Sequence, residues 1–252
     1  MKRTRHLFLI LTLLGLGYCT PRDSEINGLW FFTHTTADVT NEDQGPTPAS
    51  FMNLQRDHAY TRDYVGFDYG RWEIKDTMLL LKSINGNTIS FPINYLSGNE
   101  LRLSTAKGTI VNFESQPGSF SSAAENPFSM ENNKWRIRAT KKESELELKN
   151  RLRNHCLFYE YYFRWALANK LNSIDVRSTP SLIKVYGNGF ALKNFGELPA
   201  SWRSYFYDDE DCQKANDLIK NIFEHHDIAW ARTDSKYKMF ISAFQQLRQL
   251  IK

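Results

Sequence analysis

The chain has 252 residues, enough for one large domain or two of ordinary size. A composition of 41% hydrophobic and 24% charged residues excludes a disordered chain and a chain built of membrane spans, and three cysteines are too few for a disulfide scaffold. The net charge is +4, but Lys2, Arg3 and Arg5 supply three of those charges ahead of an apolar run. The rest is near neutral and lacks the basic footprint of a nucleic-acid binder.

Residues 1–18 have a basic start followed by an apolar stretch from Leu7 to Tyr18. This is the pattern of a signal peptide, and it is too short to span a bilayer. Leu16-Gly17-Tyr18-Cys19 resembles a bacterial lipobox, with Tyr18 in place of the usual small residue. The resemblance implies acylation of Cys19 after cleavage ahead of it, a palmitate-bearing lipid anchor in the cell envelope, and residues 19–25 as a tether. The outer membrane is the expected site, facing either the periplasm or the surface. The alternative is a cysteine incidentally placed in a plain signal peptide.

From Ile26 the pattern turns to short alternating runs. Gly28-Leu29-Trp30-Phe31-Phe32 opens a β-branched and aromatic strand, and a loop rich in turn formers follows through Asn41, Asp43, Gly45, Pro46 and Pro48. Strands are expected at Phe51 to Gln55, His58 to Tyr64, Tyr69 to Ile74 and Met78 to Ser83, and then around Ile89 to Ile93, Leu101 to Leu103 and Thr109 to Phe113. Ile84-Asn85-Gly86-Asn87 predicts a tight hairpin with positive φ supplied by Asn-Gly, and Gly98 and Gly108 mark later turns. About eight strands spaced in this way suffice to close a small antiparallel up-and-down barrel over 26–116.

Gly28-Leu29-Trp30 is similar to the G-x-W signature of lipocalins. The strand series continuing through Gly70-Arg71-Trp72-Glu73-Ile74, Leu79, Leu81 and Phe91 to Leu103 resembles the short lipocalin-like domains of bacterial envelope lipoproteins. The resemblance covers about 90 residues. It implies that Trp30 packs inward at the closed end of a barrel and that the domain binds a small apolar molecule. Trp30, Phe32, Trp72 and Phe91 are therefore either packed core or the lining of a ligand site.

Residues 117–139 read as a linker, rich in Ser, Ala and Asn, with Trp135-Arg136-Ile137-Arg138 adding a strand or docking the linker. The period then becomes helical. Thr140 to Glu143 has capping-box spacing, and Leu148, Leu152, Tyr159, Phe163 and Ala166 fall on one stripe, with Glu145/Lys149 and Glu147/Arg151 as expected ion pairs. Leu182 to Leu192 predicts a hairpin turning at Asn188-Gly189. Two further amphipathic helices are expected, one burying Ala215, Leu218, Ile219, Ile222 and Phe223, the other Phe240, Ala243, Phe244, Leu247 and Ile251. The fold class is thus α+β, a barrel followed by a mainly helical domain over 140–252 that carries a hairpin.

Cys156 and Cys212 are either a disulfide between two helices or two buried thiols. Glu224-His225-His226-Asp227 is the densest run of metal-ligating side chains, but adjacent histidines on a helix diverge, and a helix-dipole role explains them as well. His155 and Cys156 are sequence neighbours facing different ways, a poor nucleophile–base pair. No nucleophile elbow, phosphate loop or dinucleotide fingerprint is present. The expectation is a non-catalytic envelope lipoprotein without cofactor or metal. It binds either a small apolar ligand or an envelope protein, with a structural adaptor as the alternative and a hydrolase using the second half as a weaker one. A barrel with room inside favours the ligand; a filled barrel favours the adaptor; a pocket gathering His225, His226 and acidic groups favours the hydrolase.

Overall fold

The computed structural model describes residues 23–36, 50–64, 66–116, 120–170, 181–186, 189–228 and 236–252. The leader, Cys19, the first part of the tether and the loop over 37–49 lie outside these residues. Within the expected tether, Asp23–Ile26 forms a single helical turn, α1, which buries Ile26 completely.

Eight strands follow: β1 (Gly28–Thr35), β2 (Phe51–Leu54), β3 (Ala59–Asp63), β4 (Phe67–Lys75), β5 (Met78–Ser83), β6 (Thr88–Leu96), β7 (Glu100–Ser104) and β8 (Ile110–Gln116). Each pairs antiparallel with the next, and β1 returns to β8, from Leu29 opposite Gln116 to Thr35 opposite Val111. The result is a closed up-and-down barrel with no free strand edge. Three of its hairpins share a loop that is one residue longer than the tight Asn-Gly turn expected at 85–86. Gln55 bonds to Ala59, Ser83 to Asn87 and Thr105 to Thr109, each pair enclosing three residues. The third of these is left-handed in every case: His58 (φ 63°), Gly86 (φ 85°) and Gly108 (φ 79°). A three-residue loop needs positive φ only at that last position, so Gly86 alone meets the requirement.

Alternation divides the strands between two environments. Inward-facing Trp30, Met52, Leu54, Tyr60, Trp72, Leu79, Leu81, Phe91, Leu101, Leu103, Val111 and Phe113 fill the barrel together with Ile26. On the outer wall, Leu29, Phe31 and Phe51 are buried as well, in a second core shared with the helical half. A sheet with one face on its own core and the other under helices accounts for the run of apolar residues at both parities in β1 and β2.

The segment 120–139 lies against this outer wall. Phe128 is fully buried, 5.5 Å from Phe31, 4.8 Å from Phe51 and 5.2 Å from Trp165, and its carbonyl accepts a hydrogen bond from Thr61. A short 3-10 helix, Glu131–Arg136, ends in Arg136. That guanidinium is buried, pairs with Asp63 of β3, and lies 4.6 Å from the Trp135 ring and 5.0 Å from the Phe158 ring. Asp63 keeps it charged in an otherwise aromatic setting, with its pKa above the usual arginine value although burial alone would lower it.

Helix α2 (Glu145–Ala168) starts four residues later than the capping box at 140–143 suggests. Ser144 caps it, reciprocated by Glu147, because Glu143 is taken: its carboxylate receives Arg151 at 2.8 Å and its backbone N–H goes to Asp211. Arg151 consequently pairs with Glu143 and not with Glu147, and it also donates to the carbonyls of Trp135 and Ile137. Glu145 and Lys149 do pair, at 2.5 Å.

The hairpin of β9 (Ile183–Tyr186) and β10 (Gly189–Leu192) sets Gly189 opposite Tyr186, inside the strand pairing and not in the turn. A one-turn helix α3 (Ala200–Arg203) precedes α4 (Asp209–His225) and α5 (Lys236–Leu250). α5 packs along α2 through Phe163 on Phe240 at 4.3 Å and Tyr159 on Phe244 at 5.4 Å, and the buried Glu160 bridges Arg164 and Arg248.

His155 sits in the middle of α2, fully buried, with its ring 4.8 Å from both Trp135 and Trp202 and 4.9 Å from Tyr159. Neither ring nitrogen has a hydrogen-bond partner. Burial, aided by the charge of Arg136, pushes its pKa down to about 3, so it is an uncharged aromatic filler. Cys156 and Cys212 are free thiols, both buried, and burial raises both, Cys212 to about 12. Neither is a thiolate at neutral pH. Among the described residues no helix is long and apolar enough to cross a membrane.

Candidate functional site

The two ends of the barrel differ. At one end α1 acts as a plug: Ile26 belongs to the interior cluster, its carbonyl accepts the Trp30 indole N–H at 2.8 Å, and Asp23 reaches His58 at 3.7 Å. The His58 ring lies tilted against Trp72 at 4.8 Å, and the Trp72 indole donates to the Gln55 carbonyl at 2.9 Å. Trp30 and Trp72 are therefore packed core, their polar edges satisfied by the closing loops. Phe91 is also buried in the interior. Of the four aromatics singled out in the sequence, these three fill the barrel.

Phe32 is different. It lies toward the opposite end, the mouth, where the connections at 84–87 and 105–109 turn. Its half-buried ring is 5.0 Å from Tyr64 and 6.0 Å from Phe113, which are themselves 5.6 Å apart. Ile89 and Ile93, also partly buried, pack against the barrel's interior cluster.

Below this ring group the apolar face is broken by charge. Tyr60 and Arg62 alternate along the inward face of β3, Tyr64 follows just past its end, and Asp68 and Ser83 face them from β4 and β5. Asp68 accepts from the Tyr60 hydroxyl at 2.7 Å, the Ser83 hydroxyl at 2.7 Å and the Tyr69 backbone N–H at 2.9 Å. Burial alone would raise its pKa, but these hydrogen bonds and the Arg62 charge hold it below the ordinary aspartate value. Tyr60 is pushed up, first by burial and then by its bond to Asp68, so it remains a phenol and a donor. Arg62 donates to the Tyr64 carbonyl at 2.5 Å and reaches Asp68 at 3.4 Å.

None of these polar residues was singled out from sequence. The signal was present in His58 to Tyr64, where a period of two places an arginine between two tyrosines on a face that is otherwise apolar.

The N-terminal half is a closed eight-stranded up-and-down barrel. Two solved structures are similar to the chain. One is a lipocalin-like protein from Bacteroides uniformis, 16% identical, with 36% of this chain and 98% of that chain covered at a TM-score of 0.28. The other is an uncharacterized protein from Bacteroides eggerthii, 12% identical, with 35% and 98% covered at a TM-score of 0.29. No family model and no curated protein matches the chain.

The histidine pair lies elsewhere. His225 and His226 end α4, and with Phe223, Glu224, Asp227 and Ile228 they line an open depression of about 420 Å³. All six residues are consecutive, and the His225 ring bonds to the Asn221 carbonyl at 2.8 Å in the last turn of the helix. Among the described residues no side chain from another element joins them in lining it. Among the described residues no three metal-ligating side chains converge. Catalytic groups commonly come together from separate elements, and among the described residues this depression gathers none from a second element.

Proposed function

We propose that the protein is a lipid-tethered, non-catalytic binding protein of the bacterial cell envelope that takes a small apolar ligand at the barrel mouth. The observation that carries this reading is the half-buried pair Phe32 and Tyr64, packed on the buried Phe113 of the interior. Large aromatics in concave, partly exposed settings are the usual lining of small-molecule sites. Trp30, Trp72, Leu79 and Leu81 occupy the closed half, so the ligand is short and does not run the length of the barrel.

The tether supports the same reading. Only four residues, 19–22, precede Asp23 counting from Cys19, a span of at most about 14 Å when extended. An acyl group on Cys19 would hold the plugged end toward the bilayer and leave the mouth facing away. A multiply acylated cysteine anchors stably, because each buried methylene adds about 0.8 kcal/mol.

A second reading is favoured by the filled interior: a structural adaptor whose barrel is solid and whose helical half docks an envelope protein. Native mass spectrometry of protein purified from its own cells separates the two. The binding reading expects a co-purifying small molecule that is lost in Phe32→Ala. The bare polypeptide mass in both samples overturns it and leaves the adaptor. Labelling with a fatty-acid analogue tests the anchor, with incorporation expected in the wild type and none in Cys19→Ala.

A further inference from the structure

We propose that Lys193 is a reactive amine, a site at which a small aldehyde condenses to an imine. It stands at the end of the β9–β10 hairpin in the helical half and is independent of the barrel mouth. The register of the hairpin places it. Lys184 is opposite Ala191, and the Lys193 backbone N–H donates to the Leu182 carbonyl at 3.0 Å. Opposite residues and residues two apart share a face, so Leu182, Lys184, Ala191 and Lys193 all stand on one face of the hairpin. The two lysines are diagonal neighbours across the strands, a separation of about 7–8 Å that long side chains span.

The charge on this face does not balance. Glu197 pairs with Lys184 through one carboxylate oxygen, and its other oxygen accepts the Asn194 backbone N–H at 2.9 Å. Both oxygens are engaged, and among the described residues Lys193 has no carboxylate partner. Lys193 is also half-buried, beside the buried Leu182. An ammonium that is partly desolvated, faces a second ammonium and lacks a counter-charge is biased toward its neutral form. Burial first, and then the charge of Lys184, hold its pKa below the ordinary lysine value. Lys149 of α2 is half-buried too, but it pairs with Glu145 at 2.5 Å and stays an ammonium. The neutral amine is the nucleophile. Its lone pair attacks the aldehyde carbon to form a C–N bond, the nitrogen gives up its two protons, and the carbonyl oxygen leaves with them as water. A C=N bond remains, and no oxidant or reductant is consumed.

Competitive labelling of the full-length protein at pH 7.5 with limiting formaldehyde and cyanoborohydride tests this, because the borohydride's hydride traps each imine as a methylamine that peptide mass mapping locates. Lys193 is expected to be methylated at least about threefold faster than Lys149, the scale of one diagonal like-charge contact in a solvated setting. In K184Q the Lys193 rate is expected to fall by about the same factor while that of Lys149 is unchanged. K184R keeps the neighbouring charge and is expected to keep the wild-type rate. A wild-type Lys193 that reacts no faster than Lys149 overturns the proposal without recourse to any variant. A fast Lys193 whose rate is the same in K184Q overturns the part assigned to Lys184.

Discussion

Lowering the pH from 7 to 4.5 sets His155 against its surroundings. In the unfolded chain its imidazole titrates near the ordinary value of about 6.5. In the fold, burial among Trp135, Tyr159 and Trp202 pushes that value down to about 3. Between these two values the unfolded chain binds a proton that the folded chain does not, so stability falls as pH falls through the window. At pH 4.5, two units below the unfolded value, the loss from this residue alone is about 3 kcal/mol at 1.36 kcal/mol per unit. His155→Leu removes the titration while keeping an apolar side chain in the cage. Urea unfolding of both proteins at pH 7 and pH 4.5 isolates the effect, since the paired carboxylates are shared by the two. The wild type is expected to lose about 3 kcal/mol more than the variant on acidification. Equal losses would show that His155 charges without unfolding the core, and the reasoning from its unpartnered nitrogens would fail.

Three further outcomes follow from the packing. Phe128→Ala removes the ring that joins Phe31 and Phe51 of the barrel wall to Trp165 of α2, and about 3–5 kcal/mol of stability should go with it. Strand and helix signals should then melt together, at a lower denaturant concentration; two separate transitions with the barrel's unmoved would contradict a shared core. At Gly70 a Cβ would lie 2.0 Å from the Lys82 carbonyl oxygen, which is backbone and cannot swing aside. Gly70→Ala should therefore cost about 3 kcal/mol, read as a fall in Tm, and an unchanged Tm would mean that β4 and β5 are less closely apposed. Ser144→Ala removes the cap of α2 and should cost about 1 kcal/mol, whereas Thr140→Ala, at the cap position suggested by spacing alone, should cost much less.

The barrel was legible because its residues obey one local rule. Alternation and glycine spacing in 26–116 locate eight strands, and an eight-stranded antiparallel series closes on itself. The helical stripes were equally readable, since Leu148, Leu152, Tyr159 and Phe163 keep a single period and all are buried. What escaped was whatever depended on distant partners. Glu143 has the spacing of a capping residue, yet its carboxylate goes to Arg151 and its N–H to Asp211, 68 positions away. Phe128 and Arg136 fall in a stretch whose composition is that of a linker, and only the presence of Phe31, Phe51 and Asp63 on the facing wall gives them a place to bury. The site shows the same division. Phe32 was visible as an aromatic on the first strand, but its partners Tyr64 and Phe113 come from just past β3 and from β8. The charge beneath them needed the register of three strands before Arg62, Asp68 and Ser83 could be seen to meet.

The claim that the mouth binds an apolar ligand is tested most directly by fluorescence titration with N-phenyl-1-naphthylamine, a neutral apolar probe. Saturable enhancement at one probe per protein is expected for the wild type, with weakened binding in Phe32→Ala and no change in Ile137→Ser, at an exposed position of the segment 120–139 outside the barrel. A linear, non-saturating response, or one indifferent to Phe32, would contradict it.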